Sequence, residues 1–593
     1  MKFLEEEKLI KGLKYTDLFM LYVSLIGSLF ILVHVGYNSD PQVASFLSVT
    51  IKAIFYGFAL LLLLKAILRF FFKYQKAGFQ YTDLLLGLYC WFIVAERTFG
   101  PVSAEALFRQ GEWLFVGIFA VLLVEISKNS LFFDRFYFNP TLLFVISFLF
   151  LVLLGTALLL LPKVTVGASL SFVDALFMAT SAVCITGLSV VDISAKFSMF
   201  GQGVLLILVQ LGGLGIMTFT GFFGYFFSGS FSYKNQLMYT ELLSEKKLGS
   251  VINTLLKIIL ITFSVEALGA ILIYFYTADV ANKLGVNHLF FSIFHAVSSF
   301  CNAGFSIIPG GLNHEELRFH YPLIWVTSFL FIFGGLGFGI MFNSFAFIKR
   351  WVINIFMRVV YAKPFTYKAW IISFNSRLIA WTSVILLIFG TLSYMLLEYH
   401  HTLAEHKSLA GKLTTSFLMG ASPRSAGFNS VPMENLGMPT VVIMMLLMWI
   451  GASPASTGGG IKTTTFAIIV LNVVSLVRGK DRVEVFKREI STDSLKRASA
   501  VVFLSFMGIG LAFFFISLTD GDKSFQSLAF ECFSAYGTTG LSLGVTPKLS
   551  NGGKMVLAAS MFVGRVGALT LLVALIKETT FKKYRYPQEQ VLF

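Results

Sequence analysis

TSAVCITGL, Thr180 to Leu188, is short, small and polar, with a glycine near its end. It interrupts a chain of 593 residues that is 56% hydrophobic and 13% charged, with a mean hydropathy of +0.80. Soluble domains carry roughly a quarter charged residues. Runs of about twenty apolar residues, each long enough to cross a bilayer, recur along the chain. The fold class is therefore an all-α polytopic membrane protein. Irregular polar backbone at membrane depth is tolerated only inside protein or along water. The stretch must therefore be enclosed or line a path.

It has relatives within the chain. VSSFCNAGF ends at Phe305, GASPRSAGF at Phe428 and SAYGTTGL at Leu541. Aligned on Gly187, Gly304, Gly427 and Gly540, they recur at intervals of 117, 123 and 113 residues. Ahead of each lies an apolar span: 140–161, 251–276, 378–397 and 498–517. Between span and glycine runs an amphipathic stretch of about a dozen residues, too short to cross. After each glycine comes a polar turn and a second apolar segment with its own glycine patch: LGGLG at 211–215, FGGLGFG at 333–339, IGASPASTGGG at 450–460 and VGRVG at 563–567. Those second patches read equally as close helix packing or as part of the pore. Each unit is a span, a short re-entrant helix, a polar loop and a span. The expected fold is four such tandem repeats around a pseudo-four-fold pore.

Charge agrees with this topology. The net charge is +15, but Lys and Arg cluster in alternate loops: 65–76, 234–247, 349–377, 478–497 and 577–585. Intervening loops carry acids and histidines, as in EYHHTLAEHK. This is a positive-inside pattern, which excludes nucleic acid as a partner and places both termini in the cytoplasm. Re-entrant short helices let every repeat begin and end on that side. The histidines His314, His320, His400, His401 and His406 are irregularly spaced and read as exposed loop residues. Four scattered cysteines form no disulfide or zinc framework. The start, MKFLEEEKLIKGLKY, lacks the features of a cleaved leader.

Four enclosed polar loops suit a monovalent cation. Carbonyl oxygens replace a hydration shell without adding fixed charge. Glycine tolerates the dihedrals this requires. The short helices aim partially negative C-termini at the ion.

TSAVCITGL, FHAVSSFCNAGFS, SPRSAGFNS, GASPASTGGGIKTTTF, MFVGRVGALTL and YRYPQEQVL together resemble the TrkH/KtrB/HKT superfamily of potassium transporters. Within it the resemblance is to the KtrB branch, membrane subunits of bacterial Ktr uptake systems. It spans about Pro140 to Phe593, three-quarters of the chain. It implies potassium uptake through a channel-like pore and no enzyme activity. The carried-over K⁺ filter comprises Val183, Cys184, Ile185, Thr186 and Gly187 in the first repeat and Phe300, Cys301, Asn302, Ala303 and Gly304 in the second. The third supplies Arg424, Ser425, Ala426 and Gly427, and the fourth Gly537, Thr538, Thr539 and Gly540. Serine at the first filter glycine goes with sodium preference in plant relatives, so Gly187 implies potassium. Arg424 is expected to point away from the ion.

The resemblance makes Ile450–Lys462 an intramembrane gate loop, with Ser453, Ser456, Thr457, Gly458, Gly459, Gly460 and Lys462 as gate residues. Proline and clustered glycine cannot sustain a helix there. Arg565 joins the gate as a cavity-facing barrier or latch, because an ionisable residue in mid-span needs an interior partner. The family also implies a homodimer docked on a cytosolic nucleotide-binding regulatory ring, surrounded by membrane lipid in the inner (plasma) membrane. No G-x-G-x-x-G follows a strand, so no nucleotide site is expected on this chain. K⁺ is the transported ion, with Na⁺ stimulation left open. The alternative is a Na⁺- or H⁺-coupled cation symporter, a class that often uses inverted repeats; the repeats here are parallel.

The expected division is 1–138, an extra membrane region of about four spans outside the family core with unread role; 139–230, repeat 1; 231–349, repeat 2; 350–480, repeat 3 with the gating loop; 481–578, repeat 4; and 579–593, a cytoplasmic tail. Asp174 is expected to cap the first re-entrant helix. Glu531 is left between adding negative potential and pairing structurally.

Overall fold

A computed structural model describes residues 2–37, 41–71, 81–99, 112–129, 140–215, 251–361 and 373–576. The basic stretches 234–247 and 577–585 lie outside these residues, as does the tail 579–593.

Four helices open the chain: α1 (Lys2–Gly36), α2 (Pro41–Phe71), α3 (Tyr81–Phe99) and α4 (Glu112–Asn129). They bury their own core, including Met20, Phe55, Phe58, Cys90, Ile93, Ile118 and Val121. Lys65 is not a loop residue. It sits within α2, 2% exposed, and its ammonium pairs with Asp17 of α1, Asp83 of α3 at 4.0 Å and Glu125 of α4 at 3.8 Å. One charged residue from each helix thus meets in the interior. A buried cation in a membrane requires such partners, which is why a basic residue at the end of a leucine run does not mark a loop here. The bundle meets the remaining structure where Gly36 packs on Leu161.

The four repeats follow. Their first spans are α5 (Pro140–Leu159), α8 (Val251–Tyr276), α12 (Phe374–Glu398) and α16 (Thr492–Thr519). Their short helices are α6 (Phe172–Val183), α9 (His288–Phe300), α13 (Leu409–Ala421) and α17 (Phe525–Gly537). At 12 or 13 residues, these reach about 20 Å at 1.5 Å per residue, short of a bilayer core. All four begin alike, with side-chain caps from Ser171, Asn287, Ser408 and Ser524. The cap satisfies orphan amides at a helix start held within the protein. Asp174 is therefore not the cap. It accepts from Ser171 Oγ at 2.8 Å and from Lys554 Nζ at 2.6 Å, tying repeat 1 to repeat 4.

The second spans are broken in every repeat, not only at the interruption expected in repeat 3. α7 (Met199–Leu214) stops at Gly215. α10 (Tyr321–Leu336) turns at Gly337 into α11 (Phe338–Tyr361). α14 (Met438–Trp449) and α15 (Thr463–Val477) flank the Ile450–Lys462 loop. α18 (Asn551–Val566) bends by 87° into α19 (Ala568–Leu575). Six described helices are each long and apolar enough to cross a membrane, α11 among them; α7, α10, α14 and α15 are shorter because they stop at these breaks. Among the described residues the only strand pairing beyond isolated bridges is a hairpin, Glu484–Val485 with Arg488–Glu489.

In the last two repeats a buried carboxylate ties the end of the first span to the start of the second. Glu398, 1% exposed at the end of α12, accepts from Gly437 N at 3.0 Å, Thr440 Oγ1 at 2.6 Å and Thr402 Oγ1 at 3.0 Å. It therefore clamps the first span of repeat 3 to the start of the second. Glu398→Ala would strand several donors and cost about 3 kcal/mol or more. The expected readout is a lower thermal midpoint in detergent, with Glu398→Gln less affected; equal midpoints for all three proteins would refute the clamp. Asp520 does the same job in repeat 4, accepting Ser550 N and Oγ at 2.7 Å each. Burial pushes its carboxyl up, but the Ser550 amide and hydroxyl, the Thr519 hydroxyl and Lys523 hold it below the ordinary aspartate value. A depressed carboxylate contributes stability above its unfolded pKa, about 3.9, and loses it as pH falls through the folded value. Asp520→Asn should thus be less stable than wild type at pH 7, with the gap closing below about pH 4; a gap that persists in acid would exclude the linkage.

Candidate functional site

The re-entrant helices end where the four aligned loops begin. Cys184 and Cys301 are right-handed, at φ −79° and −71°. The next residues flip: Ile185, Asn302, Ser425 and Thr538 take φ of 56°, 61°, 69° and 47°. Non-glycine residues avoid this region, and here four occupy it at one register, two before each glycine. Gly187, Gly304, Gly427 and Gly540 then take φ of 88°, 68°, 77° and 90°. Alternating right- and left-handed residues turns successive carbonyls to one side, the arrangement a carbonyl-lined ion path needs. Backbone bonds pin the turns: Thr186 N to Ser181 O, Ala303 N to Ser298 O and Thr539 N to Ser534 O, each 2.8 Å, and Ala426 N to Ser422 O at 3.0 Å.

The loops close a ring. A methyl on Gly187 would run into Ala303 O, one on Gly304 into Ala426 O, one on Gly427 into Thr539 O, and one on Gly540 into Thr186 O. Each quarter rests on the next, and the fourth returns to the first. All eighteen expected filter residues lie in these turns or at their entry.

Ser425 Oγ donates to Thr538 O of the next turn at 2.9 Å, while two other turn side chains lead away from the ring. Arg424 leaves the ring and donates to Ser383 O of α12 at 3.1 Å. Cys301 Sγ packs toward Gln210 and Glu266. Glu531 is a brace: buried, it accepts from Ser542 at 2.5 Å and Thr546 at 2.7 Å, so it holds the chain leaving the fourth turn. The second-span glycines lie directly beneath. A side chain at Gly212, Gly334 or Gly564 would collide with the carbonyl of Val183, Phe300 or Tyr536. Their small size serves contact between helix and loop.

The Ile450–Lys462 segment packs against the ring. Gly459 N donates to Thr538 Oγ1 at 2.9 Å and to Ser425 Oγ at 3.2 Å. Thr457 Oγ1 reaches Asn302 Oδ1 at 3.2 Å. Ser453 N donates to Gly335 O at 3.1 Å and Gly460 N to Gly564 O at 3.3 Å. Lys462 Nζ donates back to Gly458 O at 2.7 Å, and Ser456 Oγ to Ser453 O at 2.5 Å. The loop thus touches repeats 2, 3 and 4. Arg565 adds the last two ties: one guanidinium nitrogen donates to Thr457 O and the other to Gly212 O of repeat 1 at 2.7 Å. A family model described as TrkH, cation transport protein, matches residues 108–584.

The chain belongs to the TrkH family.

TrkH-family members are transport proteins rather than enzymes. The chain is 35% identical over 457 residues to Ktr system potassium uptake protein B of Bacillus subtilis, covering 77% of this chain and 96% of that protein. It is 31% identical over 463 residues to the potassium/sodium uptake protein NtpJ of Enterococcus hirae, covering 77% and 97%. Among solved structures, the potassium transporter TrkH from Vibrio parahaemolyticus matches with a TM-score of 0.57 at 16% identity, over 89% of this chain and 98% of that one. The TrkH model begins at residue 108, ahead of α4. Residues 108–138 of that extra region fall inside the family match.

Not every expected placement holds. His406 is no free loop residue: it is 2% exposed, between Tyr321 OH and Thr415 Oγ1, each at 3.2 Å. Burial lowers its pKa. His320 caps α10. Among the described residues no three His, Cys, Asp or Glu side chains group as a metal site. Sequence reasoning missed Glu266, Gln210, Glu398 and Asp520. Their partners lie tens of residues away, so no local pattern signals them; an acid or amide inside an apolar span was the one available sign.

Proposed function

We propose that the chain is the potassium-translocating subunit of an uptake system, with the four turns as its selectivity filter and the Ile450–Lys462 loop, latched by Arg565, as its gate. The observation that carries this is the closed ring of four quasi-equivalent turns, each with a left-handed residue two before its glycine. Family membership and the names of the Bacillus and Enterococcus relatives support potassium as the ion. Backbone carbonyls of the eighteen filter residues replace the ion's water. The loop beneath blocks exit until its bonds to the ring are exchanged for others, a local event that leaves α14 and α15 intact. The division into an N-terminal region, four repeats and a tail follows the same reading, with both termini cytoplasmic in the plasma membrane. The name of the Bacillus relative, a component of a Ktr system, supports a further subunit; a cytosolic nucleotide-binding ring and a homodimer fit the basic linkers.

The enterococcal relative's name supports a role for sodium, as stimulator or coupled ion. Uptake of K⁺ or Rb⁺ in cells stripped of their own potassium transport, with and without Na⁺, separates these readings. Rescue in both conditions is the channel-like result, and rescue only with Na⁺ favours coupling or stimulation. No rescue with the protein in the membrane would reject the proposal.

A further inference from the structure

Behind the second turn, a carboxyl lies buried at the base of a crevice. Glu266 lies within the span α8, 4% exposed. It accepts from Gln210 Nε2 of α7 at 3.1 Å and from Cys301 Sγ at 3.6 Å. Cys301 is the filter residue whose carbonyl helps form the second turn. Its sulfur is wedged against Gly213, where any side chain would strike it. The preceding residue, Gly212, receives Arg565. Glu266 therefore bears on the filter through one side chain, and its neighbours on α7 bear on the gate.

A cavity of about 380 Å³ opens over this group, lined by Leu206, Ile207, Phe263, Ala267, Ile293 and Val297 among others. Its polar lining side chains are Gln210 and Glu266 alone. Ile207, Phe263 and Ile293 are exposed at its rim, on faces a bilayer would cover. Apolar walls ending on a carboxyl select an apolar molecule with a cationic or carboxyl-seeking head. In the third and fourth quarters the residue at this register differs: Arg424 bonds Ser383, and Gly537 has no side chain.

We propose that Glu266 is a filter-positioning residue reached from the membrane phase through this crevice, where a small lipophilic molecule of that class acts on the pore from the side. The proposal rests on the transport reading for its effect on flux, but its chemistry is read independently. A lipophilic carbodiimide, dicyclohexylcarbodiimide, tests it in proteoliposomes. The carboxylic acid adds across one C=N bond, its proton passing to nitrogen, and the acyl group migrates from oxygen to nitrogen. Nothing leaves, so the peptide gains the mass of one whole reagent.

Mass spectrometry should find the adduct on Glu266, and a water-soluble carbodiimide should not form it. Labelling should inhibit Rb⁺ uptake and lower K⁺ over Na⁺ preference. Glu266→Gln should resist inhibition by about tenfold in rate. Ala267→Trp, which keeps the carboxyl and plugs the mouth, should slow labelling similarly. No adduct at Glu266 would overturn the access route. An adduct with unchanged flux and selectivity would overturn the positioning role. Protein that never transports Rb⁺, labelled or not, would count against the transport reading, while the adduct still decides the access route.

Discussion

Gly187→Ser is expected to reduce the preference for K⁺ over Na⁺ by about tenfold or more, the equivalent of roughly 1.4 kcal/mol. Two effects act together. Gly187 has φ of 88°, which a serine adopts only with strain. Its new Cβ would also press on Ala303 O, a filter carbonyl of the next repeat. The first turn must shift and the second with it, so the spacing of carbonyls changes in half the ring. Selectivity depends on that spacing and on the field of the carbonyl dipoles. Competition of Na⁺ against Rb⁺ uptake reads the change. An unaltered preference would mean that these turns are not the filter. The equivalent change at Gly427 presses on Thr539 O and should give a similar loss.

Arg565→Ala is expected to raise uptake and weaken its regulation. The guanidinium bridges Thr457 O of the loop and Gly212 O of α7. Each bond to a charged group contributes about 1.5–3 kcal/mol. If only about 1.4 kcal/mol of that favours the closed over the open arrangement, the open population rises about tenfold. Removing a fixed positive charge from below the ring also lowers the barrier for a cation. Arg565→Lys keeps the charge but cannot span two carbonyls in a fork, so it separates latch from barrier: behaviour like alanine favours the latch. Unchanged initial rates of Rb⁺ uptake in Arg565→Ala would remove Arg565 from the gate.

The fold was readable where local chemistry repeats. Glycine at one register four times over, each after an amphipathic stretch too short to cross, specifies a re-entrant unit because few other residues and lengths allow it. The caps were partly readable: serine or asparagine opens every short helix, yet Asp174 drew attention as the acid and Ser171 holds the amide. What was hidden depends on partners distant in sequence. Lys65 follows five leucines and precedes a basic stretch, so it reads as the edge of a loop until three other helices bring it carboxylates. Glu398 meets Gly437 and Thr440, about forty residues on. The breaks in the second spans were half visible. Their glycines stood out, but the carbonyls pressing on them belong to the loops, and only assembly brings the two together.

In the proposed reading the loop of repeat 3 stands across the pore, and only one such segment can. Four identical subunits around the same ring would each have to offer the segment, and the copies would collide. Carrying the quarters in one chain frees them to diverge. In that reading one becomes the stopper and another places the arginine that holds it, while a third turns a cysteine toward a buried carboxyl. Symmetry is kept most closely in the backbone of the four turns. The tandem arrangement is thus a device for being four-fold where coordination demands it and asymmetric where control does.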